Sequence, residues 1–272
     1  MERPRLFFHI GLHKTGTTWL QNAFFPRLSN VRAVRARRVE KLQRLLAEPN
    51  PEILLISHEG LGGTISLYRS PGSLFNRLRR SLEVIQAEPC DGILVGFREQ
   101  QAWINSAYFE KAKSNEVSAE AYLNQYSPDE LTWCKVLECV QTSSVPVFPF
   151  LYEELNHSPH EFAADLCGFL GTELPPDVGE ILRRRENPSP RSIRGQRLAR
   201  AFFVASRVLP ARFNGTLRGW GSKLGAKLDS GTELERITFP DDLARRLRDD
   251  WRSLIRLIGK RRGRDFSAFV SR

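Results

Sequence analysis

Leu6-Phe7-Phe8-His9-Ile10-Gly11-Leu12-His13-Lys14-Thr15-Gly16-Thr17-Thr18-Trp19 is the stretch on which the fold turns. The run Leu6–Ile10 is short, apolar and bounded by Gly11, so it reads as a buried strand. Thr17 to Phe25 reads as a helix, with hydroxyl residues at its start and Pro26 behind it as a stop. The loop between them combines two glycines, a lysine and several threonines. Backbone N–H groups at a helix start are unpaired and carry partial positive charge, and glycine lets an anion approach them. Lys14 adds an ammonium, and Thr17 and Thr18 add hydroxyls. These are the donors a phosphate group requires.

Outward from this unit, three apolar runs resemble its strand: Ile53–Ile56, Ile93–Phe97 and Val145–Phe148. A weaker one lies at Val31–Val34. Helical patterns fall between and after them, at Val39–Ala47, Ser73–Ala87, Gln100–Ala112, Ala119–Gln125, Pro128–Val140, Pro159–Leu170 and Asp177–Arg185. Near-continuous apolar strands alternating with helices predict a three-layer α/β fold: a central, mostly parallel sheet of about five strands, covered on both faces. In such sheets ligands sit at the carboxyl ends of the strands. Glu186-Asn187-Pro188-Ser189-Pro190 reads as a loop, followed by a helix at Ser192–Val208, a Gly-rich stretch at Gly215–Gly231 and a last helix near Asp241–Ile258. The expected organisation is one domain, 1–272, in which about 187–272 forms a basic helical C-terminal cap.

The chain has 272 residues and a formal net charge of +10. From Arg183 to Arg272 there are 23 Lys/Arg against 9 Asp/Glu, while the remainder is mildly acidic. Such asymmetry suggests an anionic partner for the last third, against the plainer reading of a solvated basic face. Lys260-Arg261-Arg262-Gly263-Arg264 is a basic tail suited to anionic lipid or a charged sugar polymer, and Leu198–Leu209, apolar with flanking arginines, could lie on a membrane surface. No recognition module accompanies the basic residues, so nucleic acid is not expected as a partner. There is no signal-peptide pattern and no run of 18 apolar residues, which predicts a cytoplasmic protein with, at most, peripheral membrane contact. Cys90, Cys134, Cys139 and Cys167 make no C-x-x-C pair and read as buried free thiols, which suits a reducing compartment.

The loop differs from the NTPase pattern G-x-x-x-x-G-K-[ST], because Gly16 is followed by Thr17 and the lysine precedes Gly16 by two. Ile93–Phe97 ends in Arg98, a cation where a Mg-dependent enzyme needs an anion. His13-Lys14-Thr15-Gly16-Thr17-Thr18-Trp19 resembles the donor-binding loop of the sulfotransferase family, with His13 where that family often has proline. The resemblance implies a P-loop-like α/β fold and a nucleotide co-substrate, 3′-phosphoadenosine 5′-phosphosulfate, leaving as 3′-phosphoadenosine 5′-phosphate, with no metal required. It implies that Thr15, Gly16, Thr17 and Thr18 contact the 5′-phosphate, that Trp19 stacks on adenine, and that Lys14 neutralises the bridging oxygen as the sulfuryl group leaves. Arg98 and Ser106 fit the family's second motif and would bind the 3′-phosphate. Leu151-Tyr152-Glu153-Glu154-Leu155 resembles a third, in which Tyr152 lines the adenine pocket. The likeness covers roughly residues 5–170.

Transfer also requires a base near the acceptor. Ile56-Ser57-His58-Glu59-Gly60 closes the third apolar run at the expected edge of the site. Glu59 is the first candidate, on the resemblance to carbohydrate-type sulfotransferases. His58 is the second, since its unperturbed pKa lies near neutrality, and His13 is close enough in sequence to compete. Asn187, Ser189, Arg191 and Arg194 are candidates for a loop closing over the 3′-phosphate. The acceptor is a hydroxyl or amine, with carbohydrate or lipid-linked compounds such as glycolipids favoured by Glu59 and the basic C-terminal third. Oligomeric state is left open. The alternatives are a P-loop kinase or other nucleotide-dependent phosphotransferase, and a non-catalytic polyanion- or membrane-binding protein.

Overall fold

The computed structural model describes residues 3–35, 52–62, 73–112, 117–182, 201–202, 224 and 235–270. The chain divides into two compact units. The first comprises Met1–Gln100, Tyr126–Arg184 and Pro240–Arg272, and the second Gln101–Gln125 and Arg185–Phe239.

The first unit is built on five strands: β1 (Arg5–His9), β2 (Val31–Val34), β3 (Ile53–Ser57), β4 (Gly92–Phe97) and β5 (Val147–Leu151). They lie in the order β2-β3-β1-β4-β5 and every pairing is parallel. The expected mostly parallel sheet is thus wholly parallel among the described strands. The burial matches: every residue of β3 and β4 is buried, because both faces are covered. β1 feeds a connection that leaves toward β2, whereas β4 feeds one that leaves toward β5. The crevice of such a sheet opens where those directions diverge, at the carboxyl ends of β1 and β4.

One face of the sheet carries Phe7, Ile53, Leu55, Leu94, Phe148 and Phe150. They pack with Leu20, Phe24 and Phe25 of the segment after β1, and with Phe162, Leu166 and Leu170 of the helix Pro159–Leu170. That first segment begins as α1 (Thr17–Trp19), widens through Leu20–Phe24 and tightens through Phe25–Arg27, so Pro26 sits inside its last turn. The opposite face, with Leu6, Phe8, Ile93, Val95 and Phe97, is equally buried. It meets α5 (Trp133–Gln141), where the Phe97 and Trp133 rings lie 5.9 Å apart. In chain order the other helices are α2 (Ser73–Gln86), α3 (Gln100–Ala112), α4 (Ala119–Leu123), α6 (Glu154–His157), α7 (Pro159–Leu170), α8 (Val178–Ile181) and α9 (Asp241–Arg262).

Several expectations change. The helix expected over Pro128–Val140 is two pieces. Ser127 and Glu130 form a capping box around a single tight turn, Thr132 is extended at φ −89 and ψ 100, and α5 then restarts at Trp133. The restart is capped from outside: Asp250 of α9 accepts the N–H groups of Trp133 at 2.7 Å and Cys134 at 3.1 Å. The last helix runs on to Arg262, past Ile258, and Gly263 closes it at φ 62. Its basic tail is only partly available. The Arg262 side chain is 6% exposed and paired with Glu154 and Asp165, and Arg264 also binds Asp165, leaving Lys260 and Arg261 in solvent. All four cysteines are free thiols, but only Cys167 is buried, the others being half-buried. No helix among the described residues is long and apolar enough to cross a membrane.

In the second unit, the side-chain amide of Asn105 brackets Ile237, accepting its N–H at 2.8 Å and donating to its carbonyl at 3.0 Å. Tyr108 packs on Tyr122 with ring centres 5.7 Å apart. The expectations at Val39–Ala47, 186–190 and 215–231, and nearly all of that at Ser192–Val208, lie outside the described residues.

Candidate functional site

The loop after β1 is held in a conformation that costs free energy. Lys14 has φ 64, a left-handed backbone in which a side chain is crowded, and Gly16 has φ 88. Two left-handed residues around Thr15 turn the chain sharply enough to gather successive backbone N–H groups on one side, the arrangement that binds anions. Non-glycine residues persist in such strain where the surroundings enforce it, and they concentrate at ligand sites. Part of the enforcement is visible: the Thr15 hydroxyl donates to the Leu12 carbonyl at 2.6 Å. Thr15 is fully buried, so its hydroxyl closes the loop and its backbone N–H is what it can offer a ligand.

Thr17 is different. It is 2% exposed, and its hydroxyl oxygen is buried without a hydrogen-bond partner. A hydroxyl kept from water and left unpaired is destabilising by about 1–3 kcal/mol, so it calls for a group that can complete it. Thr18 is half-buried at the first turn of α1. Trp19 stacks on Phe24, ring centres 5.7 Å apart, and packs at the edge of the core, so one of its ring faces is taken by the protein itself.

The loops after β3, β4 and β5 converge on this one. The Arg98 guanidinium donates to the Lys14 carbonyl at 3.4 Å and lies 4.5 Å over the Tyr152 ring. Gly16 faces Tyr152 and Leu155, and a Cβ there would come within 2.4 Å of Leu155 Cδ1. The turn after Arg98 is fixed on both sides. The Trp133 indole donates to the Arg98 carbonyl at 2.6 Å, and Glu153 accepts the Glu99 N–H at 3.1 Å. Burial raises the Glu153 carboxyl above its ordinary range, against the lowering effect of that hydrogen bond and of Arg98. Trp133 carries no motif signal, and Glu153 stands in the third motif with no role read for it; only the fold brings the two to the turn at Arg98.

The candidate-base turn follows β3 directly. His58 donates its backbone N–H to the His9 carbonyl at 3.1 Å, and Glu59–Leu61 then forms one tight turn. The His58 ring folds back over Gly60, where a Cβ would come within 2.3 Å of its Cε1. Gly62 lies against the carboxyl end of β1, its missing side chain 2.3 Å from the Gly11 carbonyl oxygen, so this turn and the loop after β1 are in contact. The backbone of Glu59 is in that turn; its side chain lies outside the description. His13 is nearly buried at 9% exposure. Beneath the turn, His9 Nδ1 and Ser57 Oγ are 2.8 Å apart and Gln21 donates to the same oxygen at 2.9 Å. Burial pushes the His9 imidazole down to about 3, so it is neutral and structural at neutral pH.

Lys14, Thr15, Gly16, Thr17, Thr18, Arg98, Tyr152 and the backbone of His58 and Glu59 therefore gather at one edge of the sheet. Ser106 is half-buried on α3 and belongs to the second unit. Asn187, Ser189, Arg191 and Arg194 lie outside the described residues.

No family model matches the chain, and no curated protein matches it. Among solved structures it is similar to the crystal structure of a sulfotransferase from Alicyclobacillus acidocaldarius, at 15% identity over 98% of this chain and 99% of that one, with a TM-score of 0.47. A likeness that distant says nothing of which reaction this chain performs.

Proposed function

We propose that the protein is a sulfotransferase that moves a sulfuryl group from 3′-phosphoadenosine 5′-phosphosulfate to a hydroxyl or amine of an acceptor, a carbohydrate or lipid-linked compound. The observation that carries this reading is the link from Arg98 to the Lys14 carbonyl, with the Arg98 guanidinium lying on Tyr152. It joins a phosphate-type loop to a second cationic group, which supports reading the ligand as one with two phosphates. A guanidinium suits the 3′-phosphate because it can present paired N–H donors to it.

In this reading the unpartnered Thr17 hydroxyl and the N–H groups of Gly16 to Thr18 take the 5′-phosphate, with Thr15 keeping the loop closed. Tyr152 and Trp19 border the adenine. The acceptor oxygen or nitrogen attacks sulfur as the bond from sulfur to the bridging phosphate oxygen breaks. Lys14 neutralises the charge growing on that oxygen. The acceptor proton passes to Glu59, with His58 as the second choice. Positioning and charge neutralisation supply most of the acceleration, as in phosphoryl transfer.

The test is ligand-induced stabilisation followed by turnover. At about 100 times its dissociation constant, 3′-phosphoadenosine 5′-phosphate adds about 2.7 kcal/mol, and adenosine 5′-monophosphate much less. Equal shifts from the two nucleotides sink the assignment of Arg98 to a 3′-phosphate. Transfer of label from the sulfuryl donor to any acceptor, lost in Glu59→Gln while nucleotide binding stays, confirms the base; normal turnover in that variant moves the role to His58.

A further inference from the structure

Arg77, on α2, donates from Nε to the Gly60 carbonyl at 3.1 Å. Gly60 is the middle residue of the turn after β3 and is itself buried. Arg77 is half-buried, and among the described residues its two terminal nitrogens have no hydrogen-bond partner and no carboxylate within ion-pair distance. A partly desolvated guanidinium held by one nitrogen is an incomplete arrangement, because its remaining donors form a planar fork that fits an oxyanion. The anchor also fixes where the fork sits. It hangs from the turn that carries His58 and Glu59, whose far end rests against the Gly11 carbonyl. Arg98, by contrast, is bound to Lys14 and Tyr152 on the β4 and β5 side of the loop. The two arginines are thus attached to opposite flanks of the loop after β1.

We infer that Arg77 is a recognition residue for an anionic acceptor, one that carries a carboxylate or a sulfate ester besides the hydroxyl or amine to be sulfated. This rests on the sulfotransferase reading and names its substrate class. In that reading the donor phosphates are met from the Arg98 flank, so a cation attached to the turn after β3 serves the other substrate. The Nε anchor leaves only the Nη groups for the ligand, and a bidentate pair with a carboxylate or sulfate uses those donors.

The experiment uses the full chain, labelled donor, and acceptors in matched pairs: 4-nitrophenyl glucoside against 4-nitrophenyl glucuronide, and unsulfated against sulfated oligosaccharides of the same backbone. The wild type is expected to prefer the anionic member of each pair. Arg77→Gln keeps a donor for the Gly60 carbonyl and removes the charge. It should raise KM for anionic acceptors about 10- to 100-fold, leave kcat within about twofold, erase the preference, and leave the affinity for 3′-phosphoadenosine 5′-phosphate unchanged. Arg77→Lys should recover part of the preference, which a purely structural anchor would not require. A wild-type preference for neutral members, an equal loss on both members in Arg77→Gln, or weakened nucleotide binding in that variant overturns the proposal. Turnover of no anionic acceptor by protein that binds the nucleotide also overturns it while leaving the donor reading intact. Failure to bind the nucleotide at all removes the donor reading instead.

Discussion

The indole N–H of Trp133 donates to the carbonyl oxygen of Arg98 at 2.6 Å. Trp133 is fully buried and its own backbone N–H is held by Asp250. The helix that opens at Trp133 therefore fixes the backbone of Arg98, the residue proposed to meet the 3′-phosphate. Trp133→Phe keeps the ring contact with Phe97 but strands the Arg98 carbonyl. The expected result is a loss of about 1–2 kcal/mol in urea unfolding and roughly 3- to 10-fold weaker binding of 3′-phosphoadenosine 5′-phosphate by calorimetry. Unchanged affinity alongside the stability loss would show that the Arg98 backbone needs no support from this indole.

Gly16 combines a left-handed backbone with a close neighbour, since a Cβ would lie 2.4 Å from Leu155 Cδ1. Gly16→Ala should destabilise by about 2–3 kcal/mol, the sum of backbone strain and overpacking, and abolish nucleotide-induced stabilisation. Leu155→Ala added to it relieves the clash but not the φ of 88, so thermal melts of the double variant should recover only part of the loss.

The strand, loop and helix around Lys14 were legible because strand burial on both faces leaves an unbroken apolar run and the loop must then turn on glycine. β3 and β4 followed from the same signal, whereas β2, half-buried throughout, left only a weaker run, and β5 spans Val147–Leu151 rather than Val145–Phe148. The split at Thr132 was not legible, since the cap that restarts the helix is Asp250, more than a hundred residues away. Motif spacing named Arg98 and Tyr152, but their contact through a guanidinium over a ring is a product of the β4–β5 pairing, in which Phe97 and Leu151 are partners. Thr15 was read as a phosphate donor by type; its hydroxyl turns inward because the loop's own Leu12 carbonyl needs it. Arg77 carried no sequence signal, as a single arginine on an amphipathic helix reads as a solvated residue.

Arg262 joins the end of α9 to the end of β5. Its guanidinium donates to Glu154 and Asp165, and Glu154 also accepts the Leu151 N–H at 2.7 Å. Burial holds the Glu154 carboxyl above its ordinary range even with Arg262 beside it. Removing one partner strands a buried charge, so Arg262→Met should cost about 3–5 kcal/mol. Glu154→Gln in the same chain keeps an acceptor for Leu151 and removes the stranded charge, so denaturant titration should show the double variant more stable than Arg262→Met alone.

His9 makes a pH prediction whose direction is fixed by burial. The imidazole is fully buried, with Nε2 unpartnered, and its pKa is lowered from 6.5 to about 3. A depressed pKa means the folded protein keeps His9 neutral while the unfolded chain takes up a proton. The stability contribution is therefore complete above pH 6.5 and is lost as pH falls through the window toward 3. One proton bound only by the unfolded state lowers stability by about 1.4 kcal/mol per pH unit inside that window. His9→Gln cannot titrate and can still bond the Ser57 hydroxyl. Between pH 6.5 and 5, above the range where ordinary carboxylates protonate, the stability of the wild type should fall more steeply than that of His9→Gln by close to this slope. Parallel curves in urea unfolding would mean that His9 gains its proton in the folded protein, and with it a partner for Nε2 as the pH falls.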